Sequence, residues 1–296
     1  MLIDVHQHIW PAAFIEVLRA RTTPPCLDGW TLHLAGEPPY VVDPADHEVT
    51  ARARLAAADG LGLALVSLSS PLGIEYLPPA EATELLTAFH DGALALPDPF
   101  GVWASPCLSE PDPEAVEHEL RRGCVGLQLP ATALLDAAGW QECAPLLDVL
   151  TRLGKPLFIH PGAAPATQDT PPWWPALVPY LHQMHASWFA FRAFGRARHP
   201  RLRVCFAALA GLAPLHGERL AARGGGRGAI DFDVFYETSS YGTRAVDALV
   251  RAVGIDVIVS GSDRPYASPV IPDIGTDAAV HALRTTNPDR LLRGRT

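Results

Sequence analysis

Apolar runs rich in β-branched residues alternate with longer stretches of helical periodicity along the whole chain. Eight runs read as strands, at 2–5, 63–69, 100–104, 124–129, 156–160, 202–207, 234–238 and 256–260. Helical patterns fall between them at 44–59, 79–96, 113–122, 137–153, 174–198, 214–223 and 243–253. The pairs Asp43-Pro44 and Asp112-Pro113 put a proline in the first turn behind an acceptor side chain, an ordinary helix start. Strands separated by helices pair in parallel, because parallel neighbours need a long crossover.

Eight such units in 296 residues predict an α/β fold, a closed (β/α)8 TIM barrel. It is expected to form a single domain over 1–296, with a small hairpin insertion near 31–42 that turns at Gly36-Glu37-Pro38. An open doubly wound sheet would carry a Gly-rich phosphate loop after its first strand, where this chain has His6-Gln7-His8. The glycine run from Arg223 to Arg227 reads as a loop, since no strand leads into it.

Charge and composition narrow the partners to small molecules. The net charge is −9 and no Lys/Arg-rich run is present, which argues against nucleic acid and against an anionic membrane surface. No apolar run reaches the ~18 residues of a membrane-spanning helix. The first strand begins at residue 2 with no basic flank, so no signal peptide is expected. Five cysteines, odd in number and without C-x-x-C spacing, point to a reduced, cytoplasmic protein.

Histidine placement carries the chemistry. His6 and His8 are two apart at the end of the first strand, so both imidazoles leave one face. His160 ends the fifth strand, and Asp263 follows the eighth. Active sites of such barrels lie at the C-terminal strand ends, so three imidazoles and a carboxylate would share one rim. That is the donor set of a catalytic divalent metal with an open water position. Asp4, on the same face by strand alternation, reads either as a buried support of the strand or as a group orienting a ligand imidazole. Gln128, Trp173, Trp174, Tyr241 and Arg264 lie near strand ends or rim loops and are the substrate-binding candidates. His182 and His185 read as a polar stripe on a rim helix.

At this point the chain resembles the amidohydrolase superfamily, in the amidohydrolase-related branch that includes aminocarboxymuconate-semialdehyde decarboxylase and γ-resorcylate decarboxylase. The resemblance runs nearly end to end: Asp4-Val-His6-Gln-His8, Phe158-Ile-His160-Pro-Gly162, Pro200 to Ala207, Gly211 to Pro214, Glu218-Arg219, Tyr236-Glu-Thr-Ser-Ser-Tyr241, Gly261-Ser-Asp263-Arg-Pro265 and the closing stretch from Asn287. It implies a barrel of the metal-dependent hydrolase type. His6, His8, His160 and Asp263 would hold one divalent ion, zinc first, with Mn2+, Fe2+ or Co2+ as alternatives. It also implies a homodimer.

One position departs from the family. Its members carry a histidine at the end of strand 6, in a His-x-Gly-Gly-like turn before a proline, and Ala208 stands there in this chain. In the decarboxylase relatives that histidine handles the proton beside the metal water. Alanine cannot, and His216, eight residues on, reads as a helix-surface residue. Hydrolysis of an ester, lactone or amide, with Asp263 as proton carrier to a metal-activated water, is therefore the first expectation. Non-oxidative decarboxylation of a small aromatic or unsaturated acid is the second. A barrel that binds metal or ligand without turnover is the third.

Overall fold

All eight predicted strands are present, and they pair in chain order. The computed structural model describes residues 1–35, 38–164, 169–226 and 230–294. The strands are β1 (Leu2–Gln7), β2 (Leu61–Val66), β3 (Phe100–Ala104), β4 (Gly126–Pro130), β5 (Leu157–His160), β6 (Val204–Phe206), β7 (Val234–Glu237) and β8 (Ile258–Val259). Each pairs in parallel with the next. Helices link them across the outside, including Pro79–Leu94, Pro113–Arg122, Ala144–Leu153, Pro179–Ala190 and Thr243–Val253. The (β/α)8 barrel is the fold observed.

The barrel closes between its first and last strands. Val5 N–H donates to Ser260 O at 3.0 Å, Asp263 N–H to His6 O at 2.8 Å and His8 N–H to Arg264 O at 2.6 Å. Gln7 and Arg264 form a parallel bridge. Closure thus sets Asp263 beside the two histidines of β1, although more than 250 residues separate them in sequence.

β1 is not regular. Asp4 pairs with Ala64 and Gln7 with Val66, so three steps on β1 face two on β2. This extra residue is a bulge, the device that re-aims side chains near functional sites. Asp4 accepts from His6 N–H at 3.0 Å within it. From outside, Arg52 donates to His8 O at 2.7 Å and to Gln7 Oε1 at 2.7 Å, which fixes the strand end.

Below the rim the barrel is filled rather than hollow. Trp103 stacks on Phe158 with centroids 5.3 Å apart and donates its indole N–H to Val5 O at 3.0 Å. Both rings are fully buried and make the floor under the histidines.

Several predicted boundaries move. The helix Ala12–Ala20 went unpredicted because it starts behind Pro11 with no side-chain cap to announce it. The closing run Asp277–His281, Ala282–Thr286 and Asn287–Arg293 is helical too. The predicted helix 214–223 shrinks to Gly217–Ala222, because the residues before it coil in the opposite hand. The insertion is a three-stranded antiparallel sheet of Cys26–Asp28, Thr31–His33 and Tyr40–Val41. Its predicted turn residues Gly36 and Glu37 lie outside the described residues, as does Arg227. All five cysteines are unpaired, and no described helix is long and apolar enough to cross a membrane.

Candidate metal centre

The four expected ligands meet at one point of the rim. His6, His8 and His160 are buried, with ring centroids 4.9 to 5.2 Å apart. His6 Nε2 and His8 Nε2 are 3.1 Å apart, and Asp263 Oδ1 stands 3.1 Å from the second and 3.4 Å from the first. One donor atom from each of the four residues falls within 4.8 Å of all the others.

That spacing suits an ion rather than direct contact. Donors about 2.0–2.2 Å from a common centre stand roughly 2.9–3.4 Å from one another, the edge of a tetrahedron or octahedron. Two unprotonated imidazole nitrogens at 3.1 Å would repel unless a proton or a metal ion lay between them. The outer nitrogens agree: His8 Nδ1–H donates to Ser67 O at 2.9 Å and His160 Nδ1–H to Pro161 O at 2.8 Å. Carbonyl oxygens only accept, so the proton sits on Nδ1 and the Nε2 lone pair turns inward. The residues therefore fit a divalent metal.

Their protonation follows the same logic. Burial opposes a charge on His6, but the carboxylates of Asp263 and Glu237 outweigh it and raise its pKa. Burial lowers His8, with the His6 charge adding to the effect, and holds His160 well below its ordinary value, with His6 and His8 both adding. Burial would raise Asp263, yet His6, His8 and His160 together bring it down to about 2.

The other candidates are distributed unevenly. Asp4 reaches the backbone N–H of His6 and Ser262 and the amide of Gln7, not a ligand ring. The carboxylate that meets a ligand imidazole is Glu237, whose Oε2 lies 3.3 Å from His6 Nδ1. Gln128 is fully buried, its NH2 donating to Leu68 O and Ser70 Oγ, both at 2.9 Å. Arg264 follows Asp263 but commits its guanidinium to Asp59 at 2.8 Å. Trp173 and Trp174 meet each other, centroids 5.8 Å apart, with Trp173 54% exposed. Tyr241 is half-buried near Glu237, and both burial and that charge push its phenol up. His216 is exposed and packs on His185.

Two site residues escaped the sequence reading. Tyr266 places its ring 5.3 Å from His8 and its hydroxyl 3.2 Å from Ser69 Oγ. Glu237 ends β7, so the strand-end rule that found His160 would have found it as well.

Ala208 opens an uncommon turn. Ala208, Leu209, Ala210, Gly211 and Leu212 all have φ between 48° and 61°, a full left-handed turn. Each non-glycine residue there costs roughly 1–2 kcal/mol. Packing holds the turn: Leu209 and Ala210 are fully buried, and a Cβ on Gly211 would stand 2.5 Å from Leu181 O. Asp263 and Ser240 also have positive φ, so backbone strain gathers at the ends of β6, β7 and β8.

No family model and no curated protein matches the chain. Solved structures do. The IDCase of Metarhizium anisopliae superposes with a TM-score of 0.77 at 18% identity, covering 99% of this chain and 97% of that one. The 2,6-dihydroxybenzoate decarboxylase from Rhizobium gives 0.69 at 18% identity, with 99% and 98% covered. The 5-carboxyvanillate decarboxylase of Novosphingobium aromaticivorans, complexed with manganese and 4-hydroxy-3-methoxy-5-nitrobenzoic acid, gives 0.71 at 17%, with 99% and 96% covered. At these identities the likeness establishes the fold, and the resemblance read from the sequence holds at that level.

The comparisons overturn the ranking that put hydrolysis first. Structures alike along the whole chain include decarboxylases of aromatic acids. That ranking rested on Ala208 standing where the decarboxylase relatives carry their proton-handling histidine. The structure brings the Tyr266 ring to 5.3 Å from His8, with its hydroxyl on Ser69.

Proposed function

We propose that the protein is a metal-dependent carboxy-lyase, releasing CO2 without oxidation from a small aromatic or unsaturated acid. The observation that carries this reading is the convergence of three imidazoles and the Asp263 carboxylate at the mouth of a barrel shared end to end with decarboxylases.

In such a reaction the bond from carbon to carboxylate breaks, its electron pair stays on the carbon, and a proton takes the place of CO2. His6, His8, His160 and Asp263 would hold the ion; zinc and manganese both suit three nitrogens and one oxygen. Once bound, the ion supplies Lewis acidity toward a substrate oxygen. Asp263 is a quarter exposed where the three histidines are closed in, so it is the ligand that faces an incoming substrate. Ionised at rest, it is the group placed to take up a proton from solvent and pass it to the vacated carbon.

Tyr266 contributes a neutral donor. Tyr266 leaves 48% of its surface exposed, yet the crowding around its hydroxyl and the Asp263 charge both push its phenol up against the hydrogen bond with Ser69. Its hydroxyl therefore keeps its proton and can donate to a substrate oxygen.

The test is direct. Metal-free, Mn2+-loaded and Zn2+-loaded protein are incubated in D2O with a panel of hydroxybenzoates and methoxylated hydroxybenzoates. Metal-dependent CO2 release with one deuterium at the vacated carbon is expected. Metal-loaded protein that releases no CO2 from any of them would sink the reading.

A further inference from the structure

Four donors and a missing side chain surround one buried carboxylate at the end of β7. Glu237 is fully buried. Its Oε2 accepts from His6 Nδ1–H at 3.3 Å, from Ala208 N–H at 3.2 Å and from Ser239 Oγ–H at 2.8 Å; its Oε1 accepts from Ser239 N–H. Gly261 leaves room for it, since a Cβ there would overlap Oε1 and the rest of the carboxyl group. The group thus joins the ends of β1, β6, β7 and β8.

We propose that Glu237 is the positioning residue of the metal centre: it holds the His6 ring with Nδ1–H outward and Nε2 toward the ion, and pins the Ala208 turn to the same carboxylate. This assignment rests on the metal-site reading above. Only a carboxylate accepts on both oxygens; an amide would turn an NH2 toward one of the donors. His8 and His160 are oriented by backbone carbonyls, which no substitution can remove. Among the described residues, His6 is the imidazole whose outer nitrogen meets a side-chain carboxylate, so the centre is most open to substitution there. The same bond explains how Ala208 is tolerated. The residue in the family's histidine position needs no side chain to be anchored, because its backbone N–H is held by Glu237.

Metal-free wild type, Glu237→Gln and Glu237→Ala are titrated with Mn2+ and Zn2+ against a chromophoric chelator. The variants are expected to bind about 10–100-fold more weakly. In Zn2+-loaded wild type, long-range 1H–15N spectra should show His6 protonated at Nδ1, with an exchange-protected proton that disappears in the variants while those of His8 and His160 remain. Unchanged affinities in both variants, or a wild-type His6 protonated at Nε2, overturn the assignment but leave the metal site standing. Wild type that binds neither ion overturns both. The wild-type spectrum requires no variant to fold, so the assignment is decided either way.

Discussion

Gly261 shows how little room the centre has. It has no side chain because the Glu237 carboxyl group fills the place where a Cβ would project. Gly261→Ala would push that carboxylate off His6 without touching a metal ligand. It should weaken divalent-ion binding about tenfold or more, the cost typical of a lost outer partner. Chelator competition measures this, and full affinity in a folded Gly261→Ala protein would contradict the account. Of the residues in the candidate centre, the clustering of His6, His8, His160 and Asp263 was legible in the sequence, because each sits where an apolar run stops. Glu237 was equally well placed and was passed over. Tyr266 gave no signal, since an aromatic in a Pro-containing loop reads as ordinary rim. Asp4 was assigned its face by strict alternation, and the bulge in β1 redirected it to backbone amides.

Among the elements, the turn from Ala208 to Leu212 is the one that no propensity rule predicts. Alanine and leucine favour right-handed helix, so the sequence read as the approach to a helix from 214. The structure coils the other way because Glu237 holds one end and the helix Pro179–Ala190 presses on the middle. Gly211 sits against that helix, 2.5 Å from Leu181 O as measured from a built Cβ. Gly211→Ala should cost about 2–4 kcal/mol, combining left-handed strain with overpacking. A urea midpoint equal to wild type would refute this. The barrel strands were far easier to read, since buried parallel strands are nearly continuous apolar runs. Their ends were less so: β8 keeps only Ile258 and Val259, with a 3-10 turn at Ile255–Val257 taking the rest.

Across the whole molecule, buried histidines outside the centre set the response to acid. His90 accepts from Ser105 N–H at 3.0 Å, and burial, helped by the charge of Arg122, pushes its pKa down to about 4. His47 accepts from Trp10 N–H at 3.1 Å and is pushed to about 3 by burial and by Arg52. In the unfolded chain both titrate near 6.5. As pH falls below that value, the unfolded state takes up protons that the folded state refuses. Stability is therefore fully present above pH 6.5 and is lost progressively toward pH 3 to 4, by about 3 kcal/mol for His90 alone. Urea unfolding at pH 7, 5.5 and 4 should show the decline, and His90→Gln, which cannot take up the proton, should show a shallower one. Equal slopes would rule His90 out as a source. The closed barrel itself was legible as a count of eight units, but not the hydrogen bonds between β1 and the segment after β8 that bring Asp263 to the histidines.

The left-handed turn also bears on the order in which the chain assembles. A segment whose local preference opposes its native shape cannot serve as a folding nucleus, because nothing favours that shape until its surroundings exist. It must wait for β7 to deliver Glu237 and for the helix Pro179–Ala190 to dock. The grip on His6 is completed through the same carboxylate, so a competent metal centre is among the last things to form. Damage at Gly211 would then appear as faster unfolding with refolding nearly unchanged. The chain would reach a barrel before it reaches a site, and the ion would arrive to a fold already made.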